Sequence, residues 1–159
     1  MKIGRITLSD RASAGIYEDL SGPEIERVVT ECLDPAAVFV VRLLPDEQPL
    51  IESTLVELCE SERCDLVITT GGTGPSPRDV TPEATRAILE RELPGFGETM
   101  RAAGFSKVPT AILSRATAGT RRRTLIINLP GNPRAISECL VPLVPAVREA
   151  IKHLQDPPA

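Results

Sequence analysis

The residues best suited to chemistry in this 159-residue chain fall in four short segments. They are Ser9, Asp10 and Arg11; then Asp46; then Thr70, Gly71, Gly72, Thr73 and Gly74 with Arg78 and Asp79 just beyond; and last Pro130, Gly131 and Asn132. A glycine-rich turn lets backbone N–H groups approach an anion closely and aims successive donors into one concavity. The GGTG run is not a Walker A loop, because no Gly-Lys-Ser/Thr follows it, and it lacks the G-x-G-x-x-G order of a dinucleotide fingerprint. Taken alone it fits a plain tight turn after a strand equally well. Asp46 and Asp79 beside such a loop point to Mg²⁺, an ion commonly held by one or two carboxylates plus substrate phosphates. Each acid also has an ordinary structural use open to it. Asp46 can cap the helix that follows, and Asp79 can stabilise its own turn. Asp10 is a third acid at the same edge, with a turn contact to Arg11 as its alternative.

Other candidates carry less chemistry. Arg121, Arg122 and Arg123 read as a solvated turn, with binding of an anionic ligand as the alternative. Phe96 and Phe105 read as core or subunit contacts. The single histidine, His153, lies near the C-terminus and far from any acid or thiol partner, so no Ser/His/Asp or Cys/His set can be assembled. Cys32, Cys59, Cys64 and Cys139 show no metal-ligand spacing and read as buried free thiols.

The elements that must position these residues follow from apolar periodicity. Residues 2–8 alternate apolar and polar and read as a strand. Residues 37–44 and 65–70 are continuous apolar or β-branched runs, as is 124–129, so each predicts a fully buried strand. Ser21 and Glu24 form a capping-box pattern before a helix with Ile25, Val28, Val29, Cys32 and Leu33 on one face. A second helix opens near Gln48 and carries Ile51, Leu55, Leu58 and Cys59 inward. Thr81 and Pro82 cap and start a third. Pro94 to Gly97 punctuates the chain before a short helix over 98–105. Residues 109–123 fit an irregular strand or a hairpin. A last helix carries Ile136 and Leu140, with Pro142 and Pro145 kinking or restarting it. Buried strands separated by helices predict an α/β fold, a mostly parallel sheet with helices on both faces. In such sheets ligands bind beyond the carboxyl ends of the strands, which is where all four segments fall.

Composition bounds the rest. Apolar residues make up 42% and charged residues 25% of the chain, the range of a globular domain rather than a disordered or low-complexity one. The net charge of −4 argues against a nucleic-acid binder. No apolar run approaches a membrane span, and the stretch after Met1 breaks at Ser9 too early for a signal peptide, so the expectation is a cytoplasmic protein with no membrane partner. One domain over 1–155 is expected, with a frayed tail at 156–159.

The string at 69–85, TTGGTGPSPRDVTPEAT, closely resembles the signature of the MogA/MoaB family of molybdenum-cofactor biosynthesis proteins. Five further blocks are similar to that family's and stand in its order: ITLSDRAS (6–13), RLLPDEQ (42–48), PGFGE (94–98), AILSR (111–115) and NLPGNP (128–133). The runs RDVTPE and PDEQ resemble the MogA branch more than the MoaB branch. The resemblance implies a three-layer α/β/α fold, a homotrimer, and molybdopterin adenylyltransferase activity. ATP and molybdopterin would give adenylyl-molybdopterin and pyrophosphate with Mg²⁺, and a molybdenum-insertion protein would be a partner. The family's two essential aspartates match Asp46 and Asp79, as catalytic residues and metal ligands. Within the matching blocks, backbone N–H groups from Gly71 to Gly74 are assigned to phosphate, and Ser9, Thr73, Ser114 and Arg115 to further anion contacts. Asp10, Thr70, Thr81 and Glu98 are assigned to substrate, and Pro130, Gly131 and Asn132 to the nucleotide or pterin pocket. The rival reading is a MoaB-like, non-catalytic molybdopterin carrier, against which the two aspartates argue.

Overall fold

Every apolar run bounded by turn residues becomes a strand of one six-stranded sheet in the computed structural model, which describes residues 1–156. The strands are β1 (Lys2–Leu8), β2 (Val38–Leu44), β3 (Leu66–Thr70), β4 (Arg91–Glu92), β5 (Ala118–Arg121) and β6 (Thr124–Leu129), in the order β2-β1-β3-β6-β5-β4. The four strands from β2 to β6 in that order run parallel, and β5 and β4 are antiparallel. The helices are α1 (Asp10–Ser13), α2 (Ser21–Cys32), α3 (Gln48–Glu60), α4 (Thr81–Ile88), α5 (Pro94–Phe105), α6 (Pro133–Leu140) and α7 (Val144–Gln155). Two 3-10 turns, Pro109–Leu113 and Val141–Leu143, complete the order.

Alternation along the strands splits the core in two. Ile3, Leu66, Ile68, Leu125 and Ile127 face α2, α5, α6 and α7, and Ile6, Val67 and Ile126 face α3 and α4. This is the expected three-layer α/β/α arrangement. No helix among the described residues is long and apolar enough to cross a membrane. The tail expected to fray over 156–159 lies, from residue 157 on, outside the described residues.

Several local features add to or change the expectations, each for a physical reason. The polar face of β1 is not solvated. Arg5 and Thr7 lie buried under α2, where Asp19 and Glu26 satisfy them; Arg5 Nη1 donates to Asp19 at 2.9 Å and Arg5 Nη2 to Glu26 at 2.7 Å. Conversely β2 is an edge strand, not a fully buried one, and Val38 is 63% exposed. An apolar run fixes a strand but not its place in the sheet. Ser21 lies inside the first turn of α2 rather than capping it; Asp19 Oδ1 accepts from the Gly22 N–H at 2.9 Å instead. Helix α5 begins at Pro94, four residues earlier than expected, because Pro at the first helical position loses no hydrogen bond. The 109–123 segment resolves into a 3-10 turn and a β5–β6 hairpin. The arginines 121–123 are held at that hairpin by Glu60, Glu90 and the backbone carbonyls of Leu154 and Gln155. His153 pairs with Glu149 on the exposed side of α7. The four cysteines are free, and burial pushes the thiols of Cys59, Cys64 and Cys139 up to about 11, so they stay protonated.

One buried polar network ties the layers together near the carboxyl ends of the strands. Asn128 on β6 is fully buried, and its amide donates to Thr69 Oγ1 on β3 at 3.1 Å and Thr85 Oγ1 on α4 at 3.0 Å. Its Oδ1 accepts from the Thr117 N–H at 3.3 Å. Removing such a hub strands several buried partners. Asn128→Ala is expected to lower unfolding stability by about 2 kcal/mol, read as a shift of the urea midpoint at unchanged slope.

Candidate functional site

The chain passes from β1 through α2 to β2 on one side, then returns through α3 to β3 on the other. The connections thus change faces between β1 and β3, and a crevice opens beyond their carboxyl ends. Ser9 and Asp10 follow β1, Asp46 follows β2, the glycine loop follows β3, and Pro130 to Asn132 follow β6. The loop lies against its neighbours with no room for side chains. Gly71 has φ +96°, and a Cβ there would stand 2.2 Å from the Leu8 carbonyl oxygen. Gly72 has φ +65°, and its Cβ would stand 2.9 Å from Asp46 Oδ1. A Cβ on Gly74 would stand 2.9 Å from Asp79 Oδ2. The N–H groups of Gly72, Thr73 and Gly74 donate to nothing among the described residues, whereas the Gly71 N–H is used by the Leu129 carbonyl at 3.2 Å. Three successive donors therefore stand free between two carboxylates.

The acids hold one another in place. The Asp10 N–H donates to Asp46 Oδ2 at 3.0 Å, and the Asp46 N–H donates to Asp10 Oδ1 at 2.9 Å. Arg78 grips Asp10 with two hydrogen bonds of 2.9 Å, which makes Asp10 partner to Arg78 rather than to Arg11. That guanidinium, helped by the Asp46 N–H, holds the Asp10 carboxyl below the usual carboxylate range. Asp46 goes the other way. Burial raises its affinity for a proton, and the charges of Asp10 and Asp79 add to this against the one hydrogen bond from the Asp10 N–H. Asp46 Oδ1 is buried and has no hydrogen-bond partner among the described residues. It does not cap α3, whose N-cap is Glu47. Asp79 Oδ2 accepts from the Ser76 N–H at 3.1 Å within its own turn. Among the described residues no three His, Cys, Asp or Glu side chains gather to cage a metal ion, so any ion here would draw oxygens from a ligand as well.

Three residues assigned to substrate also hold the loops, and one of them, Thr70, lines the larger cavity described next. Thr81 is fully buried and its hydroxyl donates to the Gly71 carbonyl at 2.9 Å. Thr70, also fully buried, donates to the Pro130 carbonyl at 2.7 Å, joining the loops after β3 and β6. Arg115 spends its guanidinium on the Gly74 carbonyl at 2.9 Å, the Asp79 carbonyl at 2.8 Å and the Glu83 carboxylate. It staples the loop. Glu98 is exposed on α5 and lines neither cavity described next.

The glycine loop divides the crevice. Its first half, Gly71 and Gly72, borders a cavity of about 410 Å³ together with Ser9, Asp46, Asp79 and Gly131. Its second half, Thr73 and Gly74, borders a cavity of about 280 Å³ with Ser114, Pro130 and Asn132. A cavity of about 400 Å³ at the opposite end of the sheet, lined by Arg63, Asp65 and Arg122, reaches none of these residues. Sequence reasoning missed Tyr17 on the rim of the larger cavity and Arg101 in the smaller one. A lone aromatic in the loop after a site-forming strand was the available signal for Tyr17; nothing in the sequence marked Arg101.

Comparison with known proteins adds a family. A family profile described as "Probable molybdopterin binding domain" matches residues 4–149. A molybdopterin adenylyltransferase of Helicobacter pylori (strain 26695) is 54% identical over 145 residues, covering 91% of this chain and 82% of that one. A molybdopterin adenylyltransferase of Escherichia coli K12 is 48% identical over 153 residues, covering 96% and 78%. The crystal structure of the molybdopterin biosynthesis enzyme MoaB from Thermus thermophilus superposes with a TM-score of 0.88 at 42% identity, covering 99% of this chain and 98% of that one.

The electrostatics at Asp46 make a prediction about stability. A carboxyl whose folded pKa is raised stabilises the fold while protonated, below its ordinary value near 3.8, and that contribution is lost as pH rises through the folded value. At pH 7 the ionised group is therefore a liability. Asp46→Asn is expected to melt at a higher temperature than the parent at pH 7, with the gap closing as pH falls towards 4. Calorimetric scans across that range check it.

Proposed function

Because the chain belongs to the molybdopterin-binding domain family of molybdenum-cofactor biosynthesis proteins, we propose that it is a molybdopterin adenylyltransferase. It would transfer the adenylyl group of ATP to molybdopterin and release pyrophosphate. The observation that carries this reading is the divided glycine loop, whose unspent N–H donors lie between two neighbouring cavities, with a bare carboxylate oxygen of Asp46 in the larger one. Two polyanionic reactants need such a meeting place.

The chemistry asks little of a general base. The terminal phosphate of molybdopterin is already an anion near neutral pH. One of its oxygens attacks the α-phosphorus of ATP, a new P–O bond forms, and the bond to the β-phosphate breaks with its electron pair leaving on pyrophosphate. The difficulty is repulsion and alignment, so catalysis is positioning plus charge stabilisation. The N–H groups of Gly72, Thr73 and Gly74 bind phosphate oxygens. Asp10, anchored by Arg78, orients Asp46 through the reciprocal backbone contacts. The staples from Thr70, Thr81 and Arg115 hold the loop in place.

The residues fit Mg²⁺. Asp46 Oδ1 is a desolvated acceptor without a donor, and Asp79 is near enough to raise its proton affinity. These two acids would hold the ion, which when bound neutralises the triphosphate and the leaving pyrophosphate. A homotrimer, a cytoplasmic location and hand-over to a molybdenum-insertion protein belong to the same proposal; light scattering measures the first.

Incubation with molybdopterin, ATP and Mg²⁺ is expected to give an AMP-linked pterin by mass spectrometry and stoichiometric pyrophosphate. Asp46→Asn and Asp79→Asn should stay folded and lower pyrophosphate release by about 10²-fold or more, the scale of losing a key electrostatic contact. Chelating the divalent cation should stop release, and Mg²⁺ should restore it. Parental turnover in both variants would sink the assignment, and pterin binding without any ATP-dependent product would favour a carrier.

A further inference from the structure

Both reactants of the proposed transfer carry a flat fused heterocycle, and an aromatic side chain is the sequence-economical way to hold one. The chain offers few: three phenylalanines, one tyrosine and no tryptophan. Phe39 and Phe96 pack against the larger core. Phe105 is exposed on α5 and borders neither cavity. Tyr17 is left as the one aromatic lining either cavity, and it lines the larger, with Asp46 and Asp79.

Tyr17 is also held in place. It sits between α1 and α2, and is 49% exposed. Its hydroxyl lies 2.9 Å from Ser9 Oγ, which itself caps α1 by accepting from the Ala12 N–H at 3.1 Å. The Arg11 guanidinium stands 5.2 Å from the ring centroid, within cation–π range. Ala12 and Leu20 give the same cavity apolar surface alongside its acids. A fixed ring, opening on the cavity that holds the acids, has the make-up of a stacking platform.

We infer that Tyr17 stacks on the adenine of ATP, an assignment that rests on the adenylyltransferase reading. Adenine is favoured over the pterin because the acids assigned to the triphosphate's counter-ion share this cavity with Tyr17.

The composition supplies its own probe. With one tyrosine and no tryptophan, ultraviolet emission reports on Tyr17 alone. ATP with Mg²⁺, in the absence of pterin, is titrated into the full chain while calorimetry follows binding independently. The expected result is a saturable quench that tracks the calorimetric isotherm, with inorganic tripolyphosphate binding but leaving emission unchanged. Tyr17→Ala and Tyr17→Leu should bind ATP about tenfold more weakly, Tyr17→Phe should bind close to the parent, and in turnover the loss should fall on KM for ATP more than on kcat. ATP binding without quenching, parental affinity in Tyr17→Leu, or quenching by free pterin instead of ATP overturns the adenine assignment and leaves the transfer reading standing. No calorimetric binding of ATP to the parent overturns both.

Discussion

Two hydrogen bonds cross between the ends of β1 and β2, each from the backbone N–H of one aspartate to the carboxylate of the other. This exchange between Asp10 and Asp46 fixes the depth at which Asp46 sits. Arg78 takes up the remaining charge of Asp10, so little cationic help reaches Asp46, and burial governs its proton affinity. A carboxylate held this way, with one oxygen bare, is expensive to keep in a fold. The rest of the crevice is consistent with that expense having a use: the loop facing it has no side chains at Gly71 and Gly72, and the N–H groups of Gly72, Thr73 and Gly74 are withheld from the protein.

The hydroxyls and the guanidinium around the loop hold it in place. Thr70 and Thr81 sit in the same block as Asp79, and Arg115 in a separate one, and each spends donors on backbone carbonyls of neighbouring loops.

Much of this was legible in the sequence because the signals were local. Continuous apolar runs marked β3 and β6, periodic apolar residues marked α2 and α3, and glycines beside acids at strand ends marked the crevice. What was not legible depends on neighbours the sequence does not order. Whether Val38 to Leu44 is central or peripheral is decided by which strands flank it, so its apolar face could not be known to meet solvent. That Arg5 and Thr7 are buried was not legible, because their partners, Asp19 and Glu26, lie outside the strand's own pattern. The protein partners of Arg115 were not legible either, because a guanidinium's partners are chosen by tertiary placement.

The two margins of the sheet are unlike. At one, β4 is two charged, exposed residues, too short to template anything. At the other, β2 offers seven residues with one side of its backbone unpaired and with Val38, Val41 and Leu43 in solvent. Edge-to-edge pairing between two copies can therefore use only β2 and closes at two chains, and a charged residue in place of Val41 is the natural gatekeeper against it.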